Sequence, residues 1–290
     1  MLVKRIGVTV LLLMLALVGC SSSDTAGSGD SRLEELREKG VVYVGFANEK
    51  PYAYEENGEL KGEAVDIAKE IFQQLGIERI EGRLAEFNEL IPGLNAGKFD
   101  VITAGMAILP NRCERVDFAE PEYQVGDALV VKKGNPKNLH SYEDIAKQPD
   151  TKIAVMSASM EVDYLKQSGV KDEQIVLVPD IPAVMDAVKT GRADAATGTQ
   201  LTMKNALQSA GEEGLELVSD FKQPDVEGIP SYGAAVFRQD DDELREAYNK
   251  ELQKLKESGE LLNILQKNGF GEENLPGDMT TAQLCGNATQ

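Results

Sequence analysis

The chain has 290 residues, enough for two domains at roughly 150 residues each. It is 42% hydrophobic, 27% charged and 6% aromatic, with no Trp. That globular mixture excludes a wholly disordered or collagen-like chain. A formal net charge of −19 argues against nucleic acid as a partner, because phosphate backbones repel it. The three cysteines, Cys20, Cys113 and Cys285, form no CxxC or Cys/His cluster, which argues against a structural zinc site.

At the N-terminus Lys4 and Arg5 precede an apolar run over residues 6–18. That run is too short to span a bilayer and reads as the core of an export signal. It ends Leu17-Val18-Gly19-Cys20, which resembles a bacterial lipobox. The resemblance implies a signal peptide over 1–19, a lipidated Cys20, and attachment to the outer face of the cell membrane by that lipid. An ordinary secretory signal with an incidental cysteine is the other reading. Residues 20–31 are small and polar beyond the cysteine and are expected to form a flexible tether.

The body alternates strands and helices. Residues 41–46 form a short apolar run that reads as a buried strand. Residues 63–75 carry Val65, Ala68, Phe72 and Leu75 on one helical face, with Gly76 as the stop. Strands follow over 80–84 and 100–104, around a helix over 87–96 that ends at Gly97. Further strands are expected over 127–132, 152–156, 174–178 and 194–197, with helices over 159–168 and 181–190. Ser141-Tyr142-Glu143-Asp144 resembles a capping box that opens a short helix. Asp240, Asp241 and Asp242 place acids at the start of a helix that runs to Gly259. A second short helix covers 261–267, and residues 272–290 are expected to wrap the surface. This order predicts an α/β fold with open, mostly parallel sheets.

One internal echo supports two similar lobes. Ile91-Pro92 leads to Gly97-Lys98-Phe99-Asp100 and a small-residue strand; Ile181-Pro182 leads to Gly191-Arg192-Ala193-Asp194 and another. Asp194 reads as a structural strand-start residue. Enzyme motifs are missing: there is no GxSxG elbow, Walker loop, HExxH or Rossmann glycine fingerprint. His140, the single histidine, reads as a loop residue. The sequence calls for no catalytic residue, no metal and no cofactor.

Gly105-Met106-Ala107-Ile108-Leu109-Pro110-Asn111-Arg112, followed by Val116-Asp117-Phe118-Ala119-Glu120-Pro121-Glu122-Tyr123, resembles the GMSITPxR…VDFSxPYY signature of family 3 extracellular solute-binding proteins. Val44-Gly45-Phe46 with Pro51-Tyr52, Gly62-Glu63-Ala64-Val65-Asp66-Ile67, Leu90-Ile91-Pro92-Gly93-Leu94 and Gly191-Arg192-Ala193-Asp194-Ala195 match in order. The resemblance spans about residues 33–270. It implies a two-lobe, type II periplasmic-binding-protein-like fold with the ligand in the cleft between lobes. Lobe one is then 32–124 plus 234–290, and lobe two 125–233, with crossings near 124–127 and 229–236. It also implies a monomer that works with the permease and ATPase subunits of an ABC importer. Cys113 and Cys285 fall in the same lobe, so a disulfide between them is allowed; two buried thiols are the alternative.

In that family the arginine of the PxR motif binds the ligand's carboxylate, which assigns Arg112 here. A planar guanidinium matches a carboxylate with two parallel hydrogen bonds. Amino-acid receptors usually place an aspartate for the α-ammonium where this chain has Thr199. They often stack an aromatic where it has Glu49. These departures, with GFANEKPYAY, EFNELIPGLNAGKFDVITAGM and NRCERV, resemble the ectoine/hydroxyectoine-binding branch. The resemblance implies a small zwitterion whose carboxylate meets Arg112 and whose ring N–H groups meet Glu49. Tyr52 and Phe87 are expected on its flat face, and Thr199, Ser159 and Met160 on the second-lobe side. The branch carries a phenylalanine where this chain has Ala107, so one wall of the aromatic box is missing, with Met106 or Met160 as candidate fillers. A receptor for polar amino acids, and a dehydratase on the same fold using a cleft glutamate such as Glu49, are the competing readings.

Overall fold

The computed structural model describes residues 31–211, 214–226 and 228–286. The expected signal peptide, Cys20 and all of the expected tether but its last residue lie outside the described residues. Ser31, expected in the tether, instead caps the helix Arg32–Lys39 by accepting from the Glu34 N–H. That helix carries few apolar residues, which hides it from a periodicity search, but Leu33 and Leu36 are buried.

Two sheets organise the chain. In the first, the strands run in the order Arg79–Leu84, Val41–Phe46, Val101–Ala107, Ser231–Phe237 and Asp117–Phe118, with Tyr123–Val125 also on Ser231–Phe237. The first three are parallel and Ser231–Phe237 joins antiparallel. The second sheet runs Ile175–Val178, Ile153–Met156, Ala195–Thr199, Asp127–Lys132 and Leu215–Leu217. Again three strands are parallel, and Asp127–Lys132 closes them antiparallel. The central strands Val41–Phe46, Val101–Ala107 and Ile153–Met156 are buried along their length because helices cover the sheets, whereas the edge strand Arg79–Leu84 is polar and partly exposed.

Helix Glu63–Gln74 buries Val65, Ile67, Ala68, Ile71 and Phe72. Each such Val, Ile or Phe stabilises by about 1.5–3 kcal/mol. At twelve residues the helix is too short to persist alone, so this face holds it in place. The internal echo has a structural meaning. Asp100 Oδ2 accepts from the Tyr43 N–H at 2.9 Å, and Asp194 Oδ2 accepts from the Lys152 N–H at 2.9 Å. In each lobe this aspartate ties the start of a neighbouring strand, which makes Asp194 a fold residue.

The chain crosses between sheets twice. Val125 pairs in the first sheet and Asp127 in the second, so Gly126 is the first crossing point. The return lies between Val218, whose N–H still bonds Leu129 in the second sheet, and Ser231. The Gly228 carbonyl still accepts from Tyr164 and Ile229 packs on the second-sheet core, so the return falls at 229–231, the start of the expected crossing near 229–236. Residues 231–236 are strand in the first sheet, because their backbone pairs with Val101–Ala107 and Tyr123–Val125. Residues 231–233 therefore belong with the first sheet. Gln223 links the two crossings, its side-chain amide accepting from the Asp127 N–H and donating to the Asp127 carbonyl.

Cys113 and Cys285 form a disulfide, with Cα atoms 5.8 Å apart. It fastens the four-residue helix Pro110–Cys113 to the C-terminal helix Thr281–Leu284. Among the described residues no helix is long and apolar enough to cross a membrane.

Candidate functional site

In open α/β sheets ligands bind beyond the carboxyl ends of the parallel strands. Here both sheets send those ends toward one gap. Glu49 and Tyr52 follow the strand Val41–Phe46, Phe87 follows Arg79–Leu84, and Ala107 ends Val101–Ala107. Across the gap, Ser159 and Met160 follow Ile153–Met156, Ile181 follows Ile175–Val178, and Thr199 ends Ala195–Thr199. All of these residues, with Arg112, line a single cavity of about 30 Å³.

Arg112 sits in the short helix and is 8% exposed. Its guanidinium donates to the Ala107 carbonyl at 2.8 Å and, across the gap, to the Ala158 carbonyl at 2.9 Å. Phe87 lies under it, 5.5 Å from ring centroid to guanidinium carbon. Burial pushes the guanidinium below its ordinary value, and the charge of Glu161 opposes that shift.

A second set of bonds also joins the lobes. The Tyr52 hydroxyl donates to Thr199 Oγ1 at 2.9 Å, Thr199 donates to Thr202 Oγ1 at 3.0 Å, and Thr202 donates to Glu49 Oε1 at 2.6 Å. Glu49 is 8% exposed. Burial raises its carboxyl from 4.5 to about 7; the Thr202 hydroxyl works against this and Glu161 adds to it. The jaw is thus closed on itself, with wall groups satisfying one another.

Tyr52 departs from its expected role. Its ring packs on Tyr123 at 5.1 Å and Phe270 at 5.7 Å between centroids. Gly105, at φ +64°, lies so close that a Cβ there would come 2.4 Å from the ring. The ring is held by protein, and what Tyr52 brings to the cleft is its hydroxyl. Phe87 keeps its place on the cleft wall. Met106 does not line the cavity shared by Glu49 and Arg112, but an adjoining one of about 250 Å³ that Phe87, Arg112 and Ser159 line as well. Strand alternation explains this: Gly105 and Ala107 face the central cavity, so the residue between them points elsewhere. Met160 does line the cavity, as do Met156 and Ile181, and it packs in the same cluster as Ala107.

Three polar residues of this region escaped the sequence reading. Thr202 lies on the first turn of helix Gln200–Ser209, where Thr199 accepts its N–H as N-cap. A threonine one turn past another is the signal that could have found it. Thr197 lines the cleft and bonds the Tyr142 hydroxyl. Glu161, first residue of helix Glu161–Gln167, is 3% exposed and lines the cleft beside Ser159. A first-turn acid is too ordinary to single out by pattern.

Residues 42–272 match the bacterial extracellular solute-binding proteins, family 3. The chain belongs to that family. It is 36% identical over 267 residues to a "probable amino-acid ABC transporter periplasmic-binding protein", y4tE, of Sinorhizobium fredii, covering 90% of this chain and 88% of that one. The crystal structure of EhuB in complex with hydroxyectoine superposes with a TM-score of 0.80 at 35% identity, over 88% of this chain and 97% of that one. An ancestral arginine-binding protein bound to arginine matches with a TM-score of 0.68 at 31% identity, over 79% and 98%. The two sheets described above are therefore the two lobes of a type II periplasmic-binding-protein-like fold, and the gap between them is the interlobe cleft.

Proposed function

We propose that this protein is the lipid-anchored substrate-binding subunit of an ABC importer, and that it captures a small zwitterion of the ectoine/hydroxyectoine type. The observation that carries the reading is one cavity faced by a buried guanidinium, Arg112, and a buried carboxyl, Glu49, with Tyr52 and Thr199 hydroxyls between the lobes. A zwitterion with a carboxylate at one end and a delocalised cation at the other matches that pair in charge. Arg112 takes the carboxylate in a bidentate grip. Glu49 accepts from the ring N–H groups, and Phe87 offers its face to the ring. Thr199 stands where a receptor for plain α-amino acids would carry an aspartate, and a hydroxyl does not neutralise an ammonium. Ala107 leaves that wall to Met160, Met156 and Ile181, which favours a ligand somewhat bulkier or more loosely held than one boxed by aromatics.

Capture at the outer face of the membrane fits the export signal and Cys20, with delivery to a permease and its ATPase. Similarity to arginine binders keeps a polar amino acid as the second reading. Thermal-shift screening of ectoine, hydroxyectoine, betaines and the standard amino acids decides between them, since a saturating ligand raises apparent stability by mass action. Ectoine is expected to shift the transition and arginine or lysine to leave it nearly unchanged. A large shift with a standard amino acid and none with ectoine rejects the assignment. Turnover of prephenate-like acids would turn the reading toward an enzyme.

A further inference from the structure

We propose that Glu161 is the second acceptor for the solute's cation, placed on the second lobe opposite Glu49 so that the cation is gripped from both sides. The inference rests on the zwitterion reading above and narrows the solute to cations bearing at least two N–H donors, such as a ring amidinium.

Glu161 lines the same cavity as Arg112, Glu49 and Thr199, at 3% exposure. Among the described residues the cation acting on it is Arg112, and both cleft-side bonds of that guanidinium go to the carbonyls of Ala107 and Ala158. The Ser159 hydroxyl stands beside the Glu161 carboxyl and favours its ionised form, yet lies outside hydrogen-bond geometry. Among the described residues two polar atoms of this region, Ser159 Oγ and Asp127 Oδ1, are buried without partners, although Asp127 Oδ2 accepts from Tyr142 at 2.8 Å. A carboxyl buried without a paired cation is costly, and a cationic ligand is the partner that removes the cost.

Hydrogen-bond counting leads to the same place. Once Arg112 engages the ligand's carboxylate, the cavity wall presents two carboxyls, one per lobe. A planar cation with N–H groups on two sides satisfies both. A quaternary ammonium offers neither hydrogen bond. Closing the lobes is then coupled to binding, because Glu161 reaches the cation from the side opposite Glu49.

The test is calorimetric titration of wild type, Glu161→Gln and Glu161→Asp with ectoine, arginine, glutamine and glycine betaine, alongside thermal unfolding of each protein without ligand. Wild type is expected to bind an N–H-bearing zwitterion well and betaine poorly. Glu161→Gln should bind about tenfold more weakly or worse, and Glu161→Asp should fall between. The unliganded Glu161→Gln protein should be as stable as wild type or more so, because a buried charge facing Asp127 is gone; a merely structural glutamate would lower stability and affinity together. Unchanged affinity in Glu161→Gln overturns the proposal, as does tight betaine binding. If arginine or glutamine binds and ectoine does not, the solute assignment fails while the Glu161 variants still decide the cation grip. Binding of none of the four refutes both.

Discussion

Glu49 makes solute affinity depend on pH, and the structure sets both the direction and the size. Its carboxyl is raised from 4.5 to about 7, chiefly by burial. A cationic ligand binds the ionised form, so binding expels the proton and grows stronger as pH rises through about 7. At pH 5 only about one carboxyl in a hundred is ionised, and at pH 8 about nine in ten, so the association constant should rise by about two orders of magnitude between them. Above pH 8 it should level off. Neither end of an ectoine-type zwitterion titrates in that window, so the slope belongs to the protein. Burial also raises the Glu161 carboxyl, which acts with the same sign. Calorimetry from pH 5 to 8.5, in buffers of different ionisation enthalpy, measures the affinity and counts the protons released. Glu49→Gln should flatten the profile and weaken the plateau by about 2 kcal/mol or more. A wild-type affinity that does not move with pH, or a slope that survives unchanged in Glu49→Gln, would refute the reasoning.

Three other predictions follow from the same geometry. Arg112→Ala should abolish measurable solute binding, a loss of about 2–5 kcal/mol, while circular dichroism stays native; retained affinity would put the carboxylate elsewhere. Glu122, buried and accepting from the Tyr248 hydroxyl at 2.7 Å, is raised by burial from 4.5 to about 7 and in turn raises the buried Glu63. Since its folded value lies above its unfolded one, the stability it contributes is present below about pH 4.5 and lost as pH climbs toward 7. Glu122→Gln should therefore gain on wild type by about 3 kcal/mol between pH 4.5 and 8, read from urea unfolding; a constant difference across that range contradicts it. Reduction of Cys113–Cys285, which closes a separation of 172 residues, should lower stability by about 2–5 kcal/mol and loosen the helix that carries Arg112. Equal unfolding midpoints with and without reductant would count against that coupling.

The sequence determined those features that depend on local pattern. Apolar runs set most of the strands, the face carrying Val65, Ala68 and Phe72 set its helix, and the Ser141 cap is where the hydroxyl and the Asp144 N–H predict it. The ordered motifs around Arg112 and Tyr52 carried the family and, with it, the two-lobe plan. What the pattern missed lacks periodicity or is made by distant pairing. The strand Ser231–Phe237 counts as a crossing in sequence and becomes sheet only because Val101–Ala107 lies beside it. Tertiary structure alone decided how the cleft residues behave. Tyr52 has the composition of a stacking ring, but Gly105, Tyr123 and Phe270 enclose that ring and leave its hydroxyl to the cleft. Met106 stands next to the right residue on the wrong face of the strand. Glu161 and Thr202 are unremarkable in the chain, and they matter because closure of the lobes buries them against groups more than forty residues away. Burial and through-space charge arise only from that closure, so no linear reading reports which carboxyl is paired and which still awaits a partner.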